Sequence, residues 1–184
     1  NKELSYVLEL LENLLKWAQA QMEGIEPYPE EIDVYALVKM NVGLLKPIAD
    51  KKQITLFNQV AQGTIAWGDA EMIKLVIRNL LSNAIKFTKA TGEIKVQSQY
   101  KDKQLEIAIV DNGVGISEDK QVQLFNTDTH FSTRGTNREK GTGLGLLICK
   151  EFIEKNNGKI WVESELKKGS ASKFTLQNKE EIVN

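Results

Sequence analysis

The chain has 184 residues, with 24 Lys and Arg against 25 Asp and Glu, and this size suits one ordinary domain with a short appendage. The balanced charge gives no overall attraction toward nucleic acid, so we predict no nucleic-acid partner. One cysteine and one histidine exclude a disulfide framework and argue against a Cys-rich or His-based metal centre.

The first predicted element is an amphipathic helix over residues 3–23, ELSYVLELLENLLKWAQAQME. Its apolar residues alternate in spacing between four and three, and a second row widens the apolar face. The two rows are Leu4, Leu8, Leu11, Leu15, Ala18 and Met22, and Val7, Leu10, Leu14 and Trp17. So wide a face favours several partner helices, as in a four-helix bundle. We interpret it as a dimerisation helix; packing on its own domain is the alternative.

A linker follows in GIEPYPEE, where Gly24 ends the helix and two prolines prevent its continuation. Beyond it we predict a strand over 31–34 and a helix from the cap Asp33 to about Lys51, with Pro47 shortening or kinking its end. Two strands, 54–60 and 64–67, precede a long helix that Asp69 caps.

The second half of the chain begins with a predicted hairpin of strands 93–100 and 104–110. Ser117 is expected to cap a short helix, and the polar residues 126–140 form a long loop of the kind that is functional or disordered. The remaining predicted elements are a helix over 144–156, strands over 159–164 and 172–177, and a loose tail. Hairpins with helices between them favour an α+β fold with a mostly antiparallel or mixed sheet.

The stretch NLLSNAIKFT, residues 79–88, lies in the long helix. Asn79 and Asn83 are four residues apart and share a face, and Lys86 follows on nearly the same face. Asparagine is unfavourable inside helices, so two on one face need a reason. An amide oxygen can bind Mg²⁺ and a lysine can pair with phosphate. A solvated polar face is the alternative.

Two glycine-rich stretches follow. DNGVGI, residues 111–116, comes directly after a predicted strand, although Asp-Asn-Gly is also ordinary turn chemistry. KGTGLGL, residues 140–146, opens a helix, where unobstructed amides form an anion site suited to phosphate. It is neither a P-loop nor a dinucleotide-binding fingerprint, and a ligand-free hinge is the alternative.

In this order, and with Leu124-Phe125 between the second and third, the stretches resemble the N, G1, F and G2 boxes of the GHKL superfamily. Within it, residues 27–177 resemble the catalytic ATP-binding domain of a bacterial sensor histidine kinase, and residues 1–23 resemble the second helix of its dimerisation and phosphotransfer bundle. The resemblance implies an α/β sandwich of the GHKL (Bergerat) type, with a mixed sheet covered by helices on one face and an amphipathic helix before it.

The resemblance also implies roles for single residues. Asn83 matches the Mg²⁺ ligand, and Asp111 matches the carboxylate that accepts a hydrogen bond from the adenine amino group. Phe87 lies where an aromatic ring often contacts adenine. The implied ATP-binding residues are Asn79, Asn83, Lys86, Phe87, Asp111, Gly113, Gly115, Arg134, Lys140, Gly141, Thr142, Gly143, Leu144 and Gly145.

Within that set, Gly113 and Gly115 are implied to let the backbone approach the base. Asn79, Lys86 and the glycines of KGTGLGL are implied to lie beside the phosphates, and Arg134 and Lys140 are candidate lid cations. The implied cofactors are ATP and Mg²⁺.

The resemblance implies a protein-histidine kinase of two-component signalling that donates the γ-phosphate of ATP to a histidine. ATP-hydrolysing relatives carry a glutamate as general base where this chain has Asn79, which cannot take up a proton. The only histidine, His130, lies in the polar loop and does not match the family's acceptor. We therefore expect the acceptor upstream of Asn1, in a larger protein, and no autophosphorylation by this chain alone.

The expected organisation is a bundle helix over 1–24, a linker over 25–29, the catalytic domain over 30–178 and a tail over 179–184. Expected partners of the full-length protein are a second copy, through the N-terminal helix, and a response regulator or receiver domain. We expect a cytoplasmic domain, with membrane linkage of the full-length protein. The alternatives are a nucleotide-binding pseudokinase or sensor module, a GHKL ATPase or serine kinase, and a purely structural dimerisation module.

Overall fold

The computed structural model describes residues 26–125, 135–137 and 144–178. The predicted N-terminal helix, the linker residues up to 25, His130 and most of the polar loop lie outside the described residues. Within the described ranges, no helix is both long enough and apolar enough to cross a membrane.

Within the part of the chain that the structure describes, seven strands form one open sheet with helices against it. The elements in chain order are β1 (Glu30–Asp33), α1 (Val34–Lys51), β2 (Thr55–Asn58), β3 (Ile65–Gly68), α2 (Ala70–Phe87), β4 (Glu93–Lys101), β5 (Gln104–Asp111), α3 (Glu118–Gln121), α4 (Gly145–Lys155), β6 (Ile160–Glu165) and β7 (Gly169–Gln177). The strand order is β1-β3-β7-β5-β4-β2, and β6 pairs with β7. Only the pairing of β2 with β4 is parallel among these strands, so the predicted mixed sheet is confirmed.

The two long helices begin where the aspartates predict. The Asp33 side chain accepts a hydrogen bond from Ala36 N at 2.9 Å, and Asp69 Oδ1 accepts one from Met72 N at 3.0 Å. Each cap satisfies an amide that a helix start leaves unpaired. Val34 therefore belongs to α1 rather than to the preceding strand, which corrects the predicted boundary.

Helix α1 continues through Pro47 to Lys51, so the proline does not shorten it. Strand β2 is shorter than the predicted 54–60, and β7 begins at Gly169 rather than at 172. The hairpin is as predicted: Lys101 pairs with Gln104 across a two-residue turn at Asp102 and Lys103. Both turn residues have positive φ, at 47° and 68°, as the tight hairpin turn that suits twisted strands requires.

The core lies between the helices and the central strands. Alternate residues of β4, β5 and β7 point into it and are fully or almost fully buried: Ile94, Val96, Leu105, Ile107, Ile109, Phe174 and Leu176. Helix α2 packs against both α1 and α4 and contributes the largest apolar face, nine buried residues. Cys149 of α4 also belongs to this core, and desolvation raises the pKa of its thiol to about 12.

Candidate functional site

The polar face of α2 is the first component of the site. Asn79, Asn83 and Lys86 lie within the observed helix at spacings of four and three, so they share one face as predicted. All three are half-buried, whereas Ser82 is exposed and Leu80 is buried. The two asparagines and the lysine therefore lie along the border between core and solvent, where a ligand can reach them.

Asn79 has an unsatisfied group. Its Nδ2 atom is buried and has no hydrogen-bond partner among the described residues. A buried polar atom without a partner costs about 1–3 kcal/mol. A Cβ placed on Gly145, at the start of α4, would lie 3.9 Å from Asn79 Oδ1. The oxygen of this amide thus faces the beginning of the helix that the glycine-rich stretch KGTGLGL opens, and a side-chain hydrogen bond from Asn79 acts to lower the pKa of the buried Cys149 thiol.

The C-terminal end of α2 is closed by donors from three other segments. Lys52 Nζ donates to Ile85 O at 2.8 Å and to Lys86 O at 2.9 Å. Thr136 N donates to Lys86 O at 3.0 Å, and Val114 N donates to Phe87 O at 3.2 Å. The carbonyls that a helix end leaves unpaired are thus satisfied by tertiary contacts, and these contacts fix the turn that carries Lys86 and Phe87.

Asp111 is the last residue of β5, and its carboxylate is partly buried. Burial raises its pKa from 3.8 to about 6, although hydrogen bonds from the amides of Gly113 and Ser170 act in the opposite direction. The Gly113 N–H donates to Asp111 Oδ1 at 2.8 Å. A strongly perturbed carboxylate held by a glycine loop is typical of a functional position.

The loop after Asp111 is pressed against the protein itself. A Cβ on Gly113 would come within 2.5 Å of Phe87 O, and one on Gly115, where φ is +68°, within 2.0 Å of Glu165 O. Lys167 N donates to Val114 O at 2.7 Å. Both glycines are therefore required by the packing of the loop against α2 and the β6–β7 turn. Their implied second role, closeness to a base, stays a prediction.

The glycine-rich stretch at the start of α4 is only partly described. Arg134, Lys140, Gly141, Thr142 and Gly143 lie outside the described residues, so their predicted roles stay predictions. Leu144 is buried in the core, which leaves its backbone rather than its side chain for a ligand. Gly145 lies beside Asn79, as described above.

Two residues of this region were not found from the sequence. Lys52 follows α1 within the polar run DKKQ, which carries no local signal for a contact with residues 33 and 34 positions further on. Thr136 lies in the polar loop, whose lack of periodicity gave no reason to single it out. Both act through backbone carbonyls of α2, and such contacts have no signature in side-chain patterns.

The carboxylate of Asp111 at a strand end, the asparagine-bearing helix α2 and the glycine-started helix α4 that meets α2 lie in one region of the structure. The sequence profile of the histidine kinase-, DNA gyrase B- and HSP90-like ATPases matches residues 68–180, and the chain belongs to this family.

Among its relatives is the adaptive-response sensory kinase SasA of Synechocystis sp. (strain PCC 6803), which is 32% identical over 177 residues, 95% of this chain and 46% of that protein. The chain thus spans about half the length of that relative. The catalytic domain of histidine kinase ThkA has 28% identity and a TM-score of 0.70, over 81% of this chain and 95% of that domain. Full-length ShkA in complex with AMPPNP shares the fold with a TM-score of 0.79 at 24% identity, over 93% of this chain and 35% of ShkA.

Proposed function

We propose that this chain is the catalytic part of a sensor histidine kinase, which binds Mg-ATP and donates its γ-phosphate to a histidine of the dimerisation domain in two-component signalling. The observation that carries the proposal is the carboxylate of Asp111, desolvated and fixed by Gly113 N, at the end of α2 opposite to Asn79. The sensor kinases among its relatives and the AMPPNP bound by ShkA support it.

The site has a base end and a phosphate end in this proposal. Asp111 accepts a hydrogen bond from the adenine amino group, and Phe87 O holds the loop beside it. Guanine carries a carbonyl at the corresponding position, and two facing acceptors would leave a buried anion unpaired. Asn79 and Gly145 form the other end. Eight residues of helix separate Asn79 from Phe87, about 12 Å, which lets a nucleotide run along α2.

Magnesium would bind through the nucleotide and Asn83. Among the described residues, no group of three His, Cys, Asp or Glu side chains could hold a metal ion. The amide oxygen of Asn83 is a hard, neutral ligand, and Mg²⁺ usually takes few protein ligands and leaves the others to phosphates and water. Bound there, the ion would neutralise charge on the phosphates, which is what phosphoryl transfer requires.

Positioning rather than hydrolysis is the proposed role of the phosphate end. Asn79 cannot take up a proton from water, and Lys86 pairs with phosphate charge. The attacking group is a histidine imidazole that another part of the full-length protein supplies. A response regulator then receives the phosphate; a complex of ThkA with the response regulator protein TrrA supports this partner.

Calorimetry with ATP and GTP, with and without Mg²⁺, tests the binding step. We expect ATP to bind in preference to GTP, and Mg²⁺ to strengthen ATP binding in the unsubstituted chain but not in Asn83→Ala. Ser82→Ala, an exposed neighbour on the same helix, is the matched control and should keep the response to Mg²⁺. Equal affinity for GTP would contradict the role of Asp111.

Incubation with γ-labelled ATP tests the transfer step. We expect this chain to remain unlabelled and a chain extended N-terminally through the preceding helix to become labelled on histidine. Label on His130 of this chain would overturn the assignment of the acceptor. Steady hydrolysis of ATP would favour an ATPase, and ATP binding by the extended chain without label would favour a pseudokinase.

A further inference from the structure

We propose that Thr136 is a positioning residue of the nucleotide site, which holds Lys86 in place through the carbonyl groups at the end of α2. The inference rests on the proposed function, since it concerns how the same site is held. It adds a residue for which neither the sequence motifs nor the family resemblance assigns a role.

The contacts of Thr136 are directed at one turn of backbone. Its amide donates to Lys86 O at 3.0 Å, and its hydroxyl lies 3.1 Å from both Lys86 O and Thr88 O. The hydroxyl has one proton, which the two carbonyls share. Thr136 therefore bridges the last helical turn and the residue after it, at a distance of 48 to 50 positions along the chain.

Lys52 donates to the same carbonyl. Its side chain is buried, and its Nζ lies 2.9 Å from Lys86 O. The Lys86 carbonyl thus accepts hydrogen bonds both from the Lys52 ammonium and from Thr136. A cation at a helix C-terminus is favoured by the negative end of the helix dipole, so we expect Lys52 to stabilise this turn.

Thr136 affects the backbone geometry of this turn in a way that Lys52 does not. Its hydroxyl ties Lys86 O to Thr88 O across Phe87, and this fixes the backbone orientation from which the Lys86 side chain starts. The Lys86 ammonium lies 4.9 Å from the centre of the Phe87 ring, so the two side chains predicted to meet the nucleotide leave the same short turn. A small rotation of that turn would move the charge of Lys86 away from a bound phosphate.

Substitution of the hydroxyl tests this role. In the 184-residue chain, Thr136→Val keeps the shape and the amide contact but removes the hydroxyl, and Thr136→Ser keeps the hydroxyl. By calorimetry we expect Thr136→Val to weaken ATP binding about fivefold, as the loss of one hydrogen bond corresponds to. Thr136→Ser should remain within about twofold of the unsubstituted chain. Thr55→Val, at an exposed position of β2, is the matched control and should leave the affinity for ATP unchanged.

A double-mutant cycle separates positioning from general loosening. If Thr136 acts through Lys86, Thr136→Val should lose its effect on ATP affinity once Lys86→Met is present. Equal effects of Thr136→Val in both backgrounds, or a Thr136→Ser variant as weak as Thr136→Val, would overturn the inference.

ATP binding by the unsubstituted chain separates a failure of the role of Thr136 from a failure of the proposed function. If it binds ATP and Thr136→Val binds equally well, the inference alone is overturned. If it does not bind ATP, the proposed function falls, and the inference falls with it.

Discussion

The ammonium nitrogen of Lys52, just beyond the end of α1, lies 2.9 Å from the carbonyl oxygen of Lys86 at the end of α2. Lys52 is 7% exposed, so this charge is almost entirely out of water and held by backbone carbonyls. Its neighbour Lys51, in the last turn of α1, is exposed. The two adjacent lysines therefore offer a comparison of a structural cation with a solvated one.

We expect Lys52→Met to lower the free energy of unfolding by about 2–3 kcal/mol, because it removes a charged hydrogen-bond donor and leaves buried carbonyls unpaired. Lys51→Met should change it by less than about 0.5 kcal/mol. Urea denaturation followed by circular dichroism measures both. Equal stabilities of the two variants would show that the contact between Lys52 and the end of α2 contributes little.

Asp111→Ala should weaken ATP binding by roughly ten- to a hundredfold, from the ~1.5–3 kcal/mol of a hydrogen bond to a charged group. Asp50→Ala removes a carboxylate that is exposed on α1 and paired with Lys46, and it should leave the affinity unchanged. Calorimetry gives both dissociation constants. Unchanged affinity in Asp111→Ala would remove the base-recognition role from this residue.

The pKa of Asp111 also predicts how stability depends on pH. The folded protein holds this proton up to about pH 6, whereas the unfolded chain releases it near 3.8. The folded state therefore binds more protons between these values, and stability falls as pH rises through that window. We therefore expect ionised Asp111 to lower the stability of the fold at neutral pH.

Asp111→Asn removes that ionisation while keeping an oxygen for Gly113 N. We expect this variant to be more stable than the unsubstituted chain by about 1–3 kcal/mol at pH 7–8, and the difference to disappear near pH 4. Thermal unfolding across this pH range measures it. A difference that is constant with pH would show that the carboxylate is not desolvated in the folded protein.

Substitution of glycine by alanine should lower the stability of the protein at position 115 and raise it at position 43. Gly115→Ala forces a side chain into positive φ and toward Glu165 O, and we expect a loss of at least about 2 kcal/mol of stability. Gly43 lies inside α1 with no atom within 4 Å of a built Cβ, so Gly43→Ala should stabilise by about 0.5–1 kcal/mol. Urea midpoints compare them, and a harmless Gly115→Ala would contradict the packing of the loop.

Local signals predicted much of the fold. Asp33 and Asp69 precede apolar helical patterns, and each caps its helix because its side chain reaches an amide three residues ahead. The start of β7 was missed because Gly169 and Ser170 resemble turn residues. They belong to a strand through their pairing with Glu165, Ser164 and Asp111, which are distant in sequence or across a tight turn.

The candidate site also has one part that local sequence patterns predict and another that depends on tertiary contacts. Asn79, Asn83 and Lys86 could be placed on one face because helical spacing determines it. The raised pKa of Asp111 and the donors around Lys86 O could not be predicted, because each depends on which segments the sheet and helices bring together. The glycine loop follows Asp111 directly, but strand β7, which pairs with Asp111 through Ser170, is distant from it in sequence.

The two-residue turn at Asp102 and Lys103 provides an attachment point for a reporter. It joins β4 to β5 at the end away from Asp111, so the length of an eight-residue strand, about 26 Å, separates it from the base end of the site. Both its residues are exposed. A fluorophore on Asp102→Cys, with the native Cys149 buried, would be placed to report association with a partner while the attachment stays away from the nucleotide contacts.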